Sequence, residues 1–474
     1  MNSVPSETKP QTRIAMEAVG LAVGALALVG VFKDCVDLLS YIDTARSLGR
    51  DYEVCQTKLE VEKTLFLQWA DRVGLLQVRC DERLKNSRTS EAIARILASI
   101  RILFSESKTL QGRYGLQTVD DGEETSIDRG FSGPRMTDFV NQFEALRVRI
   151  YNKQEEISRT RKARRVIRDK LKFEGLIQEL SYFNSKLNEI MPDTRGFLPR
   201  MTAEDIEAFK GLGNLRLVSE ASAGRQALVS ELADVEIGRI LEQRVLRRLW
   251  FRTMDDRKDD LKPAHLQTFR WALERPQDCG AKWDDLGEWL RAGSGVYWIN
   301  GKAGSGKSTL MKHVYGDPKT AMLLKEWSGD RKHTTACFFF WALGSSEQRS
   351  QEGLMRALLF HVLEADPSLI PELLPKLWRE VQGVEEEDSR APTIPEMHHA
   401  FMNLGSSWKE EKSFCFFIDG LDKFSGSYFD GIEFINSLLQ RTSIKVLVSS
   451  RPIPECVEAF GKQPKLRLQD LTRG

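Results

Sequence analysis

The stretch 296–309, Val-Tyr-Trp-Ile-Asn-Gly-Lys-Ala-Gly-Ser-Gly-Lys-Ser-Thr, restricts the possible folds of this chain more than any other segment. Val296 to Ile299 predicts a short buried strand, and a glycine-rich turn follows at once. That turn fits the pattern G-x-x-x-x-G-K-[ST], with Gly301, Gly306, Lys307 and Ser308 at the set positions. Gly301, Gly304 and Gly306 let the backbone point its amide N–H groups inward around an anion, where a Cβ would obstruct the approach. A helix starting near Lys307 aims the positive end of its dipole at the same place. Lys307 is expected to reach the β- and γ-phosphates of ATP or ADP, and the Ser308 hydroxyl to ligate Mg²⁺. Ser305 and Thr309 belong to the same cofactor-binding set.

Downstream the signals alternate between strand and helix, as a parallel sheet with crossover helices requires. Thr335 to Trp341 is a continuous apolar strand, and 352–364 and 394–404 read as helices on either side of a solvated loop at 384–388. Phe414 to Ile418 then runs into Asp419-Gly420-Leu421-Asp422. An apolar strand ending in aspartate places a carboxylate at the carboxyl edge of the sheet, where Asp419 would hold Mg²⁺ through water. Lys445 to Ser449 predicts a further strand, which stops at Ser450-Arg451-Pro452.

The first half reads differently. Ile14 to Phe32 has Glu17 as its one charge, and the fifteen residues from Ala18 to Phe32 carry none. Apolar groups cover every face, unlike an ordinary amphipathic surface helix. A secretory signal is one reading, although Lys33-Asp34 follows directly without a small-residue cleavage site. A buried bundle helix is a second. A conditional membrane segment is the third, since about nineteen residues at ~1.5 Å each nearly cross a ~30 Å hydrocarbon core. Gly20 and Gly24 also make a small-xxx-small step of the kind that packs membrane helices closely.

Helical stripes follow at Cys55, Leu59, Phe66, Trp69 and Val73, and at Ile93, Ile96, Leu97, Ile100, Leu103 and Phe104. A loop is expected over Val119 to Pro134. Further stripes come at Phe139, Phe143, Leu146 and Ile150, and at Leu176, Leu180, Phe183, Leu187 and Ile190. Helices that each bury one stripe make an all-α bundle. Between the last two stripes, residues 159–172 hold eight Lys or Arg against Asp169 alone. A solvated helix face and a surface for anionic membrane lipids are both open readings, the second at about 1 kcal/mol per basic residue. Nucleic acid is disfavoured, because no aromatic interleaving or zinc spacing accompanies the charge.

Gly24 to Val61, followed by Trp69, resembles the opening of the HeLo domain of fungal incompatibility proteins. The residues that carry the likeness are the apolar N-terminal helix, Cys35-Val36-Asp37, and Gly49 to Glu53 leading to Cys55-Gln56. The resemblance covers about 14–215. It implies a helical bundle whose N-terminal helix is released into membranes to kill the cell. No tandem prion-forming repeat is present, so control is expected from the attached domain.

Gly301–Thr309, Asp419–Asp422 and Ser449–Pro452, taken in order, resemble a NACHT domain of the STAND class of signalling NTPases. Residues 250–276 resemble the lead-in that encloses the adenine there, with Thr268-Phe269-Arg270-Trp271 as the wall; a helix simply packing on the sheet is the alternative. The resemblance assigns Arg451 to sensing the γ-phosphate, a role a bidentate guanidinium suits. That family commonly has Asp-Gly-x-Asp-Glu, whereas Lys423 stands where the glutamate would be. Asp422 remains as the carboxylate to orient water, and turnover is expected to be slow or absent. The winged-helix and sensing regions of the family do not follow Gly474, which points to a fragment or to a separate sensor chain.

At 474 residues the chain should hold two to three domains at roughly 100–200 residues each. The expected organisation is multidomain: a HeLo-like helical bundle over 1–215, a helical linker over 216–262, and an α/β P-loop NTPase with a parallel sheet over 263–474. Basic and acidic residues number 69 and 68, so net charge offers no argument for nucleic acid. The seven cysteines are scattered without a C-x-x-C pair, as in a reducing cytosol. No structural metal is expected.

Three functions follow. The first is a nucleotide-controlled cell-death effector that is cytoplasmic, self-associates on activation and reaches a membrane conditionally. The second is a metabolic or nucleic-acid-processing P-loop enzyme with a helical accessory domain. The third is a scaffold that binds ATP without turnover.

Overall fold

Stripes at 3–4 spacing in the first half and unbroken apolar runs in the second produce two different architectures. The computed structural model describes residues 22–40, 42–44, 50–77, 80–105, 112–114, 116–119, 135, 164–167, 169–209, 211–262, 269–275, 283–383, 390–404, 411–440 and 443–468. The chain divides into two compact units, Met1–Gly238 and Arg239–Gly474. The stretch 216–262, read from sequence as a linker, is shared between them.

In the first unit the long helices are α1 (Ala22–Ser40), α2 (Arg50–Arg72), α3 (Ser87–Ser105), α4 (Lys170–Ile190), α5 (Phe197–Ala208), α6 (Leu212–Ser222) and α7 (Ala227–Leu249), which crosses the division. Their predicted stripes form one core, with Phe32, Cys55, Leu59, Phe66, Trp69, Leu97, Phe104, Leu176 and Leu180 buried together. Ile96, Phe183 and Ile190 pack at its margin. Phe32 stacks on Phe66 with ring centroids 4.2 Å apart, and the Trp69 Nε1–H donates to the Leu187 carbonyl at 3.2 Å. A buried indole needs such a partner. Asp169 caps α4 by accepting the Lys172 amide, and Pro192 lies just beyond its end.

Over its described side chains the N-terminal helix packs as a bundle helix, the second of the three readings, with a distinct outer face. From Ala27 onward it is amphipathic, with Leu28, Val29, Phe32, Cys35, Val36 and Leu39 buried and Ala27, Gly30 and Asp34 exposed. The outer face is made of small residues up to Gly30 and of charged ones from Lys33 on. Among the described residues no helix is long and apolar enough to cross a membrane. Residues 14–21, including Gly20, lie outside the described residues, as do the predicted loop at 120–134 and the stripe at 139–150.

A three-stranded sheet accompanies the helices: β1 (Ile42–Thr44), β2 (Leu116–Val119) and β3 (Arg164–Ile167), in the order β1-β3-β2. β3 runs parallel to β1 and antiparallel to β2. The middle of the basic run is therefore a strand and not a helix face. Four residues are too few for a period to declare itself.

The second unit is α/β. Its sheet has the order β5-β6-β7-β4-β8, all parallel, with β4 (Gly295–Asn300), β5 (Lys332–Phe339), β6 (Lys412–Asp419), β7 (Ile444–Ser450) and β8 (Lys465–Arg467). The helices α8 (Leu286–Ala292), α9 (Lys307–Gly316), α10 (Pro318–Ser328), α11 (Gln351–Ala365), α12 (Ile394–Leu404), α13 (Tyr428–Leu438) and α14 (Pro454–Phe460) precede β4 or lie between the strands. Tyr297, Ile299, Cys415, Phe417 and Leu447 pack with Leu310 and Val314 of α9. The alternate positions Val296, Trp298, Phe414, Phe416, Val446 and Val448 are buried too. Both faces are covered, so the strands read as unbroken apolar runs. β5 begins three residues before the predicted start and ends before Phe340 and Trp341.

Among the polar residues of this sheet, Lys445 and His333 are held by specific partners. Lys445 is fully buried on β7, where its Nζ donates to the carbonyls of Trp289 and Leu290 at 2.9 and 2.8 Å. It closes the last turn of α8, and burial pulls its pKa down to about 8. His333 on β5 has its Nδ1 3.1 Å from the Ser413 hydroxyl, and burial followed by the Lys445 charge pulls its pKa from 6.5 to about 4. The folded state keeps this imidazole neutral while the unfolded chain protonates it. Stability is thus lost as pH falls from 6.5 and levels off below about 4, with a ceiling of about 3 kcal/mol. Denaturant titrations at pH 7 and 4.5 should show a smaller loss for His333→Asn than for wild type; equal losses reject a buried neutral imidazole.

Candidate nucleotide-binding site

Strand register assembles the site. β4 and β7 pair Asn300 with Ser450, and β5 and β6 pair Phe339 with Asp419. With Ile418 beside Val448, Gly301, Asp419 and Arg451 come to the same carboxyl edge. Open parallel sheets bind ligands at that edge.

The loop after β4 follows from its glycines. Gly304 and Gly306 have φ of 74° and 89°, a region that L side chains avoid. A Cβ on Gly301 would stand 2.7 Å from the Ser305 Oγ and 3.3 Å from the Leu468 Cβ, so the Ser305 side chain would have to move. α9 starts at Lys307, and Thr309 lies in its first turn, where the helix leaves amide N–H groups without intrahelical partners. The Lys307 ammonium folds over the loop and donates to the carbonyls of Gly301 and Lys302, both at 2.8 Å. Burial lowers its pKa, and the nearby carboxylates of Asp422 and Asp419 oppose that shift.

Asp419 is fully buried at the end of β6. Its Oδ2 accepts the Ser308 hydroxyl at 2.6 Å, and its Oδ1 accepts the Ser449 hydroxyl at 2.5 Å. The pair assigned to Mg²⁺ is thus in direct contact. Asp422 and Arg451, given separate tasks from sequence, are bound to each other. Arg451 donates its backbone N–H to Asp422 Oδ1 at 2.9 Å and its Nε–H to Oδ2 at 2.5 Å. Lys423 turns back so that its Nζ lies 3.7 Å from Asp419 Oδ2 and donates to the Phe340 carbonyl at 3.2 Å.

Phe269 comes close to the loop, its Cζ 3.7 Å from where a Gly306 Cβ would stand. It meets Trp271 edge-on at 6.3 Å, and Trp271 meets Trp283 at 4.9 Å. Thr268 lies outside the described residues.

These residues suit a nucleoside polyphosphate. The Ser305 hydroxyl is buried without a hydrogen-bond partner, inside the glycine-rich loop. Three cations, Lys307, Lys423 and Arg451, face two carboxylates, Asp419 and Asp422, which favours an anion. Mg²⁺ held together with substrate phosphates needs only one or two protein ligands, a number that Ser308 and Asp419 would meet. Among the described residues no group of three or more His, Cys, Asp or Glu is arranged to hold a metal ion. Sequence reasoning missed Ser449 as the residue orienting Asp419, and it missed the destination of the Lys423 side chain. The one local signal was the Ser-Ser-Arg-Pro strand end.

Comparison with known proteins agrees with this division. Residues 20–218 match the HeLo family, described as prion-inhibition and propagation, and residues 268–451 match the family nephrocystin 3, N-terminal. Heterokaryon incompatibility protein s of Podospora anserina is 24% identical over 236 residues, which span 48% of this chain and 76% of that protein. Heterokaryon incompatibility protein S of the same species matches over the same shares. Among solved structures, the HET-s N-terminal domain is 22% identical with a TM-score of 0.32, covering 45% of this chain and 98% of that one. This chain therefore carries an N-terminal HeLo domain followed by a nephrocystin-3-type, NACHT-associated domain, an order of domains similar to that of fungal NLR-like proteins.

Proposed function

We propose that this chain is a nucleotide-controlled signalling NTPase whose HeLo domain perturbs membranes as a cell-death effector. The observation that carries the proposal is the Lys307, Ser308 and Asp419 constellation on a glycine cradle, in a chain whose other half is a HeLo domain. Loop amides and Lys307 hold the phosphates of ATP or ADP, while Ser308 and Asp419 hold Mg²⁺. The ion neutralises phosphate charge, and Phe269 offers an apolar wall beside the loop. Exchange of ADP for ATP drives self-association, alone or with a sensor chain, and frees the N-terminal helix of a cytoplasmic protein for anionic membrane lipids. Heterokaryon incompatibility in the Podospora proteins supports the cell-death output.

Dye release from anionic vesicles by the full chain tests this. Release is expected with a non-hydrolysable ATP analogue and not with ADP. Leu26→Lys should suppress it, since a lysine at a helix centre costs about 2.5–3.5 kcal/mol per inserted helix. Equal release by both proteins in both nucleotides removes the membrane reading.

A second reading, ATP binding without turnover, is favoured by the commitment of both Asp422 oxygens to Arg451. A carboxylate so engaged does not orient water. In the same assay, equal release with ATP and with its analogue supports this reading, whereas release that decays as ATP is consumed rejects it.

A further inference from the structure

The Lys423 side chain has one destination the nucleotide reading does not use. Its ammonium stands 3.7 Å from Asp419 Oδ2, the same oxygen that accepts the Ser308 hydroxyl. The position is built. Lys423 Nζ also donates to the Phe340 carbonyl, and the side chain is only 23% exposed. Gly420, at φ 73°, leaves room for it, since a Cβ there would fall 2.7 Å from Nζ. Asp419 itself is fully buried, and its other oxygen is taken by Ser449. A buried carboxylate needs a counter-charge, and here the chain brings one covalently to the oxygen that a divalent ion would share with Ser308.

Formal charge points the same way. Lys307, Lys423 and Arg451 against Asp419 and Asp422 leave the site one positive charge before any ligand enters. Lys423→Glu would leave it one negative charge. The difference of two charges is that of one Mg²⁺ ion.

We propose that Lys423 is a built-in cation at Asp419 that competes with divalent metal, so that this site binds metal-free nucleoside di- and triphosphates nearly as well as their Mg²⁺ complexes. The proposal rests on the nucleotide reading and adds the form of ligand taken. Lys423 is a binding and positioning residue toward the polyphosphate, and it lowers the affinity of Asp419 and Ser308 for the ion. Removing it should therefore weaken metal-free binding and strengthen metal binding together, which a merely structural lysine would not do.

Calorimetric titration of ATP into the full-length chain, in EDTA and in excess Mg²⁺, reads this directly. Wild-type Kd should differ by less than about fivefold between the two conditions. Lys423→Glu should lose metal-free affinity by about tenfold or more and regain it with Mg²⁺. Lys423→Gln should lie between them, and it decides the matter if the glutamate variant does not fold. Paramagnetic resonance of added Mn²⁺ without nucleotide should show tighter binding by Lys423→Gln than by wild type. A wild-type Kd that rises more than about fivefold in EDTA overturns this inference alone, as does unchanged Mn²⁺ binding. Failure of wild type to bind ATP in either condition overturns the nucleotide reading and this inference together.

Discussion

Lys307→Ala is expected to weaken Mg-ATP binding by at least roughly ten- to a hundredfold, the loss of one charge-assisted phosphate contact at about 1.5–3 kcal/mol. The side chain is well placed for such a loss. Its Nζ is held over the loop by the Gly301 and Lys302 carbonyls, with Asp422 and Asp419 nearby. Carbonyls orient an ammonium without neutralising it, so its charge is available to a phosphate. The neighbouring Arg451 cannot substitute while Asp422 holds it through two contacts. Calorimetry of the full chain with Mg-ATP reads the effect, and the melting curve of the variant separates lost affinity from lost fold. An unchanged Kd in a folded variant means that this loop does not hold phosphate.

Phe32→Ala is expected to destabilise the HeLo domain by about 3–5 kcal/mol, as for other large-to-small changes at aromatic core positions. Phe32 is fully buried, stacks on Phe66 at 4.2 Å and lies 6.1 Å from Trp69, so it ties α1 to α2. Losing the ring opens a cavity at that junction and weakens the hold on the N-terminal helix. Leu171→Ala, at a site 82% exposed, is the matched control and should change stability by no more than about 0.5 kcal/mol. Urea denaturation followed by tryptophan emission reads both variants. If the proposed release of α1 is the output, Phe32→Ala should also permeabilise anionic vesicles in ADP, where wild type does not. A large loss of stability without leakage would detach the fold of this helix from any membrane role.

The charged groups at the sheet edge fit a site held at rest. Asp422 and Arg451 neutralise each other, Lys423 attends Asp419, and Lys307 is held over the loop by carbonyls.

How far the chain could be read in advance depended on the distance over which each feature is set. Local features were readable. The glycines at 304 and 306 are demanded by backbone turns a few residues long, and Asp419 ends a strand because an apolar run stops there. The helical stripes at 55–73 and 93–104 became one core because a period of 3.6 needs no knowledge of the partner. Tertiary structure decided what each charge meets. Asp422 finds Arg451, and Ser449 finds Asp419, only through the register of β6 against β7, which sets neighbours about thirty residues apart. Lys445 sits in an apolar sheet because the end of α8 and the ring of Trp327 enclose it, a partnership absent from its own strand. The strand Arg164–Ile167 forms because two remote segments supply its ladder. Spacing along the chain determines backbone conformation and which face is apolar; long-range contacts, made only in the folded chain, determine which side chain neutralises which.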